Sequence, residues 1–208
     1  MIISDKNRFI YSKTLKTASS SIEHYFYPFC NYVCPTDKNH YHGHLPAIQI
    51  KKMIGEKKWN NYFKFCSIRN PFDRAISAFY WFKYVNNLNE IGTLKKEKEM
   101  FEKWLIGGFL DIDDDVCAKY YSDKQCYTIN EEFCMDDVIR YENMDIDLKR
   151  ICNKLGIEWN PKKLLQLKSD IRPPGFDSFT LYTSSTRKIV EDISDYELNR
   201  FNYCFPKK

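Results

Sequence analysis

The pattern of apolar and polar positions divides the chain into short strand-like runs and longer segments with helical spacing. Three apolar runs predict buried strands, at Arg8–Ser12, Tyr62–Ile68 and Val138–Tyr141. Helical spacing predicts a long helix from Pro71 and shorter helices at Ser20–Tyr27, Pro46–Ile54, Glu97–Leu105, Asp145–Leu155 and Thr186–Phe201. Because strands alternate with helices, we expect an α/β fold with a parallel sheet covered on both faces.

Two of the predicted helices carry sequence signals at their first residues. Ser20 followed by Glu23 has the spacing of a capping box. Asn70 followed by Pro71 predicts an N-cap and a first helical residue. The helix after Asn70 has an apolar stripe, which consists of Phe72, Ala75, Ile76, Phe79 and Phe82.

The composition is that of a soluble globular protein, with 43% hydrophobic and 29% charged residues. A length of 208 residues suits one domain over residues 1–208. The net charge of +4 is too small to favour nucleic-acid binding, but it is compatible with a local basic pocket for an anion. We find no apolar run long enough to span a membrane and no signal peptide, so we expect a cytoplasmic protein.

The eight cysteines form no CxxC pair, which argues against a zinc ribbon. We expect reduced thiols in a cytoplasmic protein. A trimmed lumenal domain is the alternative, and its candidate disulfide members would be Cys117, Cys126 and Cys134.

The first candidate site follows the first predicted strand and leads into a helix. It consists of Lys16, Thr17, Ala18, Ser19, Ser20 and Ser21. A helix N-terminus offers backbone N–H groups, the hydroxyls add donors, and the lysine adds a positive charge. The segment therefore predicts a phosphate-binding loop, although the glycines of a Walker loop are absent. The alternative is a capped helix after a solvent-exposed lysine.

The second candidate site lies at the end of the strand Tyr62–Ile68. Arg69 closes this strand, and Ser77 lies on the next helix, outside its apolar stripe. Arginine binds phosphate through two parallel N–H donors, and a serine from the second helical turn can bind the same phosphate. The alternative is a strand–turn–helix connection with a surface arginine.

The third candidate site is a histidine cluster at His40, His42 and His44, in a segment whose pattern fits a strand or a loop. A histidine accepts a proton near neutral pH, as the activation of a hydroxyl requires. Alternate spacing on a strand would also suit zinc or nickel. No carboxylate or thiolate stands nearby at ligand spacing, so the sequence favours a general base and no metal.

Taken in this order, the three segments resemble the sulfotransferase family, and most closely its glycan-modifying branch, which includes heparan sulfate 2-O-sulfotransferase. The segment Leu15–Ser21 resembles the PKTxxTS-like motif that holds the 5′-phosphosulfate, with Leu15 in place of proline and Ser20 in place of threonine. Arg69 and Ser77, with Asn70-Pro71 between them, match the family's 3′-phosphate motif.

Three further segments take part in the resemblance. His42-Gly43-His44 is similar to the segment that supplies the catalytic base in the 2-O branch. Tyr141-Glu142-Asn143-Met144 resembles a later element that we interpret as structural, and Thr186-Arg187-Lys188 resembles a C-terminal cofactor-binding loop.

The resemblance implies a three-layer, P-loop-like α/β fold with a central parallel sheet flanked by helices. It implies transfer of a sulfuryl group from 3′-phosphoadenosine 5′-phosphosulfate (PAPS) to a hydroxyl of a carbohydrate or another acceptor, without a metal. Lys16 would stabilise the leaving group, and His42 or His44 would remove the acceptor proton. The donor would be bound by Lys16, Thr17, Ala18, Ser19, Ser20, Ser21, Arg69, Ser77, Arg187 and Lys188.

Two alternatives come from other functional classes. A nucleotide-dependent kinase of a related fold would need a carboxylate that holds a metal, and no aspartate at a strand end pairs with the first loop. A non-catalytic glycan- or nucleotide-binding protein of the same fold would bind the donor without turnover. For the trimmed lumenal domain considered above as the alternative to a cytoplasmic protein, the resemblance implies the Golgi lumen.

Overall fold

The computed structural model describes residues 1–33, 43–88, 90, 92–107, 120–167, 171–173 and 177–206. The chain divides into two compact units. The first consists of Met1–Arg69 and Asp123–Leu167, and the second of Asn70–Ser122 and Lys168–Lys208. We predicted one domain over residues 1–208, and this stays a prediction alongside the division into two compact units.

The described residues of the first unit contain seven short strands. They are β1 (Ile2–Ser4), β2 (Phe9–Ser12), β3 (Tyr32–Val33), β4 (Phe63–Ile68), β5 (Thr128–Ile129), β6 (Glu132–Phe133) and β7 (Asp137–Arg140). Five of them form one sheet in the order β3-β1-β2-β4-β7, and β5 pairs with β6 in a separate hairpin. The predicted strands correspond to β2, β4 and β7 and are confirmed.

The main sheet is mixed, which corrects the expectation of a parallel sheet. β2, β4 and β7 are parallel neighbours, whereas β1 lies antiparallel between β2 and β3. β1 and β2 are joined by only four residues, and a connection this short can join antiparallel strands but not parallel ones. The mixed α/β class is confirmed; the three-layer, P-loop-like architecture stays a prediction.

Eight α-helices lie in the described part of the chain. They are α1 (Ser19–Phe26), α2 (Ala47–Ile54), α3 (Glu56–Asn61), α4 (Pro71–Val85), α5 (Leu94–Leu105), α6 (Met144–Leu155), α7 (Ser184–Ile193) and α8 (Asp195–Phe201). The first unit contains α1, α2, α3 and α6. None of the described helices is long and apolar enough to cross a bilayer.

One face of the main sheet packs against α1 and α6. Phe9 and Tyr11 of β2 and Phe65 of β4 point to this face and are fully buried with Phe26 of α1 and Ile151 of α6. On the opposite face, the Ser12 hydroxyl donates to the carbonyl of Cys126 at 2.6 Å. β2 is thereby held from both faces of the sheet.

The second unit is built around α4, whose predicted start is confirmed. The Asn70 side chain accepts a hydrogen bond from the Phe72 N–H at 3.0 Å, and Pro71 is the first helical residue. The predicted apolar stripe of α4 is fully or almost fully buried. Lys83 of α4 and Glu97 of α5 form an ion pair inside this core, with Nζ–O distances of 2.7 and 2.8 Å.

The helix predicted at Thr186–Phe201 is wrong as one element, because it is broken at Ser194 between α7 and α8. Ser194 is fully buried, and its hydroxyl shares a hydrogen bond with the Tyr120 hydroxyl at 3.1 Å. Asp195 and Glu197 lie in the first turn of α8, where acidic side chains stabilise a helix start. A contact with a distant residue thus accompanies a break that helical spacing does not reveal.

Six cysteines lie among the described residues, and none of the six forms a disulfide: Cys30, Cys66, Cys126, Cys134, Cys152 and Cys204. The disulfide alternative is therefore wrong for Cys126 and Cys134, and Cys117 lies outside the described residues. Burial raises the pKa of the Cys134 and Cys152 thiols to about 11 and that of Cys30 to about 12. These thiols are consequently protonated and weakly reactive at neutral pH.

Candidate active site

The connection from β2 to α1 is a strained turn. Lys16 and Ala18 both adopt left-handed backbone conformations, with φ of 58°. This conformation costs a residue with a Cβ about 1–2 kcal/mol, so it persists only where surrounding contacts hold it. Turns of this kind also form the backbone nests that bind anions. The geometry therefore supports an anion-binding loop here.

The N-terminus of α1 differs from the predicted capping box. The N-cap residue is Ala18, which has no side-chain acceptor, and the first helical residue is Ser19. Glu23 makes no cap and pairs with Lys13 instead. The helix thus begins without a side-chain cap, at the end of the strained turn.

A network of buried hydroxyls lies below the turn. The Thr17 hydroxyl shares hydrogen bonds with those of Ser67 and Thr14, at 2.7 and 2.9 Å. Tyr11 shares a further bond with Ser67 at 2.7 Å, and burial raises the pKa of Tyr11 well above its ordinary value. The network ties the turn to β2 and β4 through the buried Thr17 side chain, whose predicted contact with the donor stays a prediction.

The serines at the start of α1 differ in exposure. Ser19 and Ser21 are buried, and the Ser21 hydroxyl accepts a hydrogen bond from the Leu167 N–H at 3.2 Å. Ser20 is half-buried. Of these three predicted serines, Ser20 is therefore the most accessible to an anion at the helix start.

Arg69 connects the second predicted site to the first. It follows β4 directly, is 8% exposed, and donates from Nη1 to the carbonyl oxygen of Lys16 at 2.9 Å. Its guanidinium lies over the Tyr141 ring, 3.8 Å from the ring centroid. The contact with Lys16 holds the left-handed residue from its carbonyl side, and Tyr141 supports the guanidinium by a cation–π interaction.

Asp123 is a residue of the loop environment that sequence reasoning missed. Its carboxylate accepts a hydrogen bond from the Leu15 N–H at 2.9 Å, and its side chain is buried. Asp123 does not follow a strand directly, where an aspartate paired with this loop was expected; it precedes a short 3₁₀ helix at Lys124–Cys126. The hydrogen bond from the Leu15 N–H gives the Asp123 carboxylate a structural role in the loop.

Lys13 and Glu23 form a second unpredicted feature of the same unit. Lys13 follows β2 directly, and its Nζ lies 2.5 Å from a Glu23 carboxylate oxygen. The two side chains are 8% and 19% exposed. Two signals were available in the sequence: a lysine at the end of a buried strand, and a glutamate within the first turns of a helix.

Only part of the predicted histidine cluster belongs to the described structure. His40 and His42 lie outside the described residues, whereas Gly43 is buried and His44 half-buried. The Gly43 carbonyl accepts a hydrogen bond from the α-amino group of Met1 at 2.6 Å. A Cβ atom on Gly43 would lie 3.3 Å from Lys13 Nζ, so Gly43 lies directly against that side chain.

The second unit contains the remaining predicted donor residues. Ser77 is half-buried on α4. Arg187 donates to Glu191 at 2.8 Å and lies over the Phe205 ring, and Lys188 donates to Asp192 at 2.7 Å. This hydrogen bond raises the pKa of Lys188. The two basic residues thus lie on the helix α7, in ion pairs one helical turn apart, rather than on a loop.

Within the described ranges, no three His, Cys, Asp or Glu side chains are grouped so that they could hold a metal ion. His40 and His42 lie outside these ranges, so zinc or nickel at the histidine cluster stays an alternative.

Three comparisons with known proteins extend these observations. The sequence profile of the sulfotransferase family matches residues 1–203. An uncharacterized protein of Archaeoglobus fulgidus is 25% identical over 114 residues, which are 54% of this chain and 83% of that protein. No solved structure matches the chain.

Proposed function

The chain belongs to the sulfotransferase family, and from this premise we propose that it transfers a sulfuryl group from PAPS to a hydroxyl of a carbohydrate. Membership of the family supports sulfuryl transfer in general. The donor and the acceptor class are our proposal, supported by the motifs around Lys16, Arg69 and His42-Gly43-His44.

The strained turn between β2 and α1 is the observation that carries this proposal. Left-handed residues at Lys16 and Ala18 precede a helix start whose N-cap has no side-chain acceptor. Backbone N–H groups and the positive end of a helix dipole favour a bound anion at such a position. The half-buried Lys16 adds a full positive charge. These residues fit the 5′-phosphosulfate end of PAPS.

The other end of the donor suits Arg69. The motif of Arg69, Asn70-Pro71 and Ser77 supports this assignment, because a guanidinium binds phosphate through two parallel N–H donors. Another of its nitrogens donates to the Lys16 carbonyl, which relates the proposed 3′-phosphate site to the turn. Ser77, Arg187 and Lys188 of the second unit stay sequence predictions for the same donor.

PAPS, when bound, supplies the sulfuryl group and a phosphate leaving group. Lys16 stabilises the negative charge that develops on the bridging oxygen, together with N–H groups of the turn. Arg69 and the hydroxyl network position the Lys16 backbone before the reaction begins. His42 or His44 removes the proton from the acceptor hydroxyl.

The deciding experiment is a transfer assay with sulfur-labelled PAPS against sugars, polysaccharides, phenols and peptides. We expect label on a carbohydrate, with activity that rises with pH through one ionisation near the ordinary histidine pKa of about 6.5. A parallel reaction with phosphate-labelled ATP tests the kinase alternative. Transfer from ATP alone, or PAPS binding without turnover on any acceptor, would overturn the proposal.

A further inference from the structure

The ion pair between Lys13 and Glu23 has no role in the mechanism described above. A lysine at 8% side-chain exposure loses most of its hydration, and the nearby carboxylate compensates for that loss. Such a pair is rarely more stabilising than well-packed apolar side chains of the same volume. Stability alone is therefore a weak reason for a lysine at position 13. The contacts of the Lys13 side chain indicate a second role.

The Lys13 side chain packs along the backbone of Gly43. A Cβ atom on Gly43 would lie 3.3 Å from Nζ, 3.6 Å from Cε and 3.7 Å from Cδ of Lys13. The first distance is tighter than ordinary van der Waals contact, so a Cβ at this position would displace the end of the Lys13 side chain by a few tenths of an ångström. Gly43 stands between His42 and His44, the two candidates for the general base.

Both members of the ion pair come from the elements that hold the phosphate-binding turn. Lys13 follows β2 and precedes Lys16 by three residues, and Glu23 lies on α1, which begins where the turn ends. The ammonium group of Lys13 is thus fixed to the same framework as Lys16. Its contact with Gly43 relates the histidine segment to that framework.

We propose that Lys13, held by Glu23, is a positioning residue that sets the place of the Gly43-His44 backbone relative to Lys16. The inference rests on the proposed function, because it concerns the segment expected to supply the base. Lys13 acts through Gly43 and transfers no proton itself. Its effect on the reaction is therefore one of geometry between the acceptor base and the turn.

The kinetic test compares Lys13→Met, Glu23→Gln and Gly43→Ala with Lys6→Met, a control at an exposed lysine. Misplacement of a catalytic group by about 1 Å can lower a rate by roughly 100-fold, so we expect kcat losses of about 10- to 100-fold in Lys13→Met and Glu23→Gln. Gly43→Ala should lose less, because its Cβ requires a displacement of only a few tenths of an ångström. Affinity for 3′-phosphoadenosine 5′-phosphate (PAP) should change little. In the double variant Lys13→Met/Gly43→Ala, the fold loss in kcat should be smaller than the product of the two single losses, because both changes act on one contact.

Two kinetic outcomes would overturn the proposal. If Lys13→Met loses PAP affinity in step with turnover, Lys13 is a donor contact. If turnover is unchanged in both Lys13→Met and Glu23→Gln, the ion pair is structural only. Glu23→Gln keeps the side-chain shape and so provides the test if Lys13→Met does not fold.

A second measurement does not depend on activity. The chain has four histidines, so the ring C–H signal of His44 can be assigned in a ¹H–¹³C spectrum by comparison with His44→Gln. We expect this signal to shift in Lys13→Met and Gly43→Ala but not in Lys6→Met. An unchanged His44 signal would overturn the positioning role. A shifted signal in a protein that transfers nothing from PAPS would refute the proposed function and leave the positioning role standing.

Discussion

At the scale of single residues, Lys16 has two features that would act on one anion in the proposed site. Its backbone is left-handed, which shapes the turn, and its half-buried side chain carries the charge. Arg69 binds its carbonyl, so the conformation of Lys16 depends on a residue from another strand. Substitutions at these two positions should therefore have different consequences.

Lys16→Ala should lower turnover far more than donor affinity. The ammonium matters most when negative charge develops on the leaving oxygen, and loss of one such donor costs about 100- to 1,000-fold in kcat. The measurement is kcat together with PAP affinity by calorimetry, with Lys6→Ala as the control. A variant with normal turnover and weak PAP binding would contradict the assignment.

Arg69→Lys should impair both PAP affinity and turnover. Lysine keeps the charge but lacks the planar fork, so it cannot hold a phosphate by two N–H groups while it binds the Lys16 carbonyl. Tyr141→Phe keeps the ring below the guanidinium and should be nearly neutral. Equal PAP binding and turnover in Arg69→Lys and the wild type would show that the fork is dispensable.

At the scale of elements, α4 and α5 of the second unit are joined by a buried charge pair. The side chains of Lys83 and Glu97 are each only 3% exposed. Glu97 also accepts a hydrogen bond from the Gly92 N–H at 3.0 Å. Glu97 therefore holds the backbone at Gly92 as well as its partner Lys83 on α4. Removal of one partner leaves the other charge buried without compensation.

Lys83→Met should lower the free energy of unfolding by about 3–5 kcal/mol. The double variant Lys83→Met/Glu97→Gln should recover part of this loss, because the glutamine is neutral and still accepts from Gly92. Urea unfolding measures both. Lys95→Met is the matched control from the exposed pair with Glu99, and its effect should stay below about 1 kcal/mol. A double variant as unstable as the sum of its parts would refute this explanation.

At the scale of the whole molecule, buried thiols couple stability to alkaline pH. Burial raises the pKa of Cys134 and Cys152 from 9.0 to about 11 and that of Cys30 to about 12. Between pH 9 and 11 these thiols stay protonated in the folded state and ionise in the unfolded state. Their contribution to stability is complete below pH 9 and is lost as the pH rises through this window.

The urea midpoint should therefore fall between pH 9 and 11, and the fall should be smaller in Cys152→Ala, which has one buried thiol fewer. Urea unfolding curves at several pH values, each compared with the curve at pH 7, give the dependence of the midpoint on pH. A midpoint that stays constant across this window would show that the buried thiols do not set the alkaline limit.

Binding of the donor product should stabilise the molecule selectively. Because a ligand that binds only the folded state raises its stability by mass action, PAP should raise the melting temperature far more than AMP or ATP. At 100 times its dissociation constant the gain is about 2.7 kcal/mol. Arg69→Lys should reduce the advantage of PAP over AMP. Equal shifts with all three nucleotides would remove the case for a dedicated 3′-phosphate site.

The sequence by itself determined the features that depend on neighbours along the chain. The apolar runs located β2 and β4, and Asn70 with Pro71 located the start of α4. The segment that begins at Lys16 was placed correctly between a strand and a helix. Each of these signals acts within a few residues, because hydrogen bonds, caps and side-chain periodicity in a helix or strand are local.

Only the tertiary structure decided the contacts between distant residues. In the folded chain, Glu23 forms an ion pair with Lys13 rather than a capping box, and Arg69 donates a hydrogen bond to the Lys16 carbonyl. The tertiary structure also brought Asp123 to the Leu15 N–H and broke the last predicted helix at Ser194. Such contacts form only when the chain has folded, because the energy of a buried polar group depends on which partners the fold brings to it.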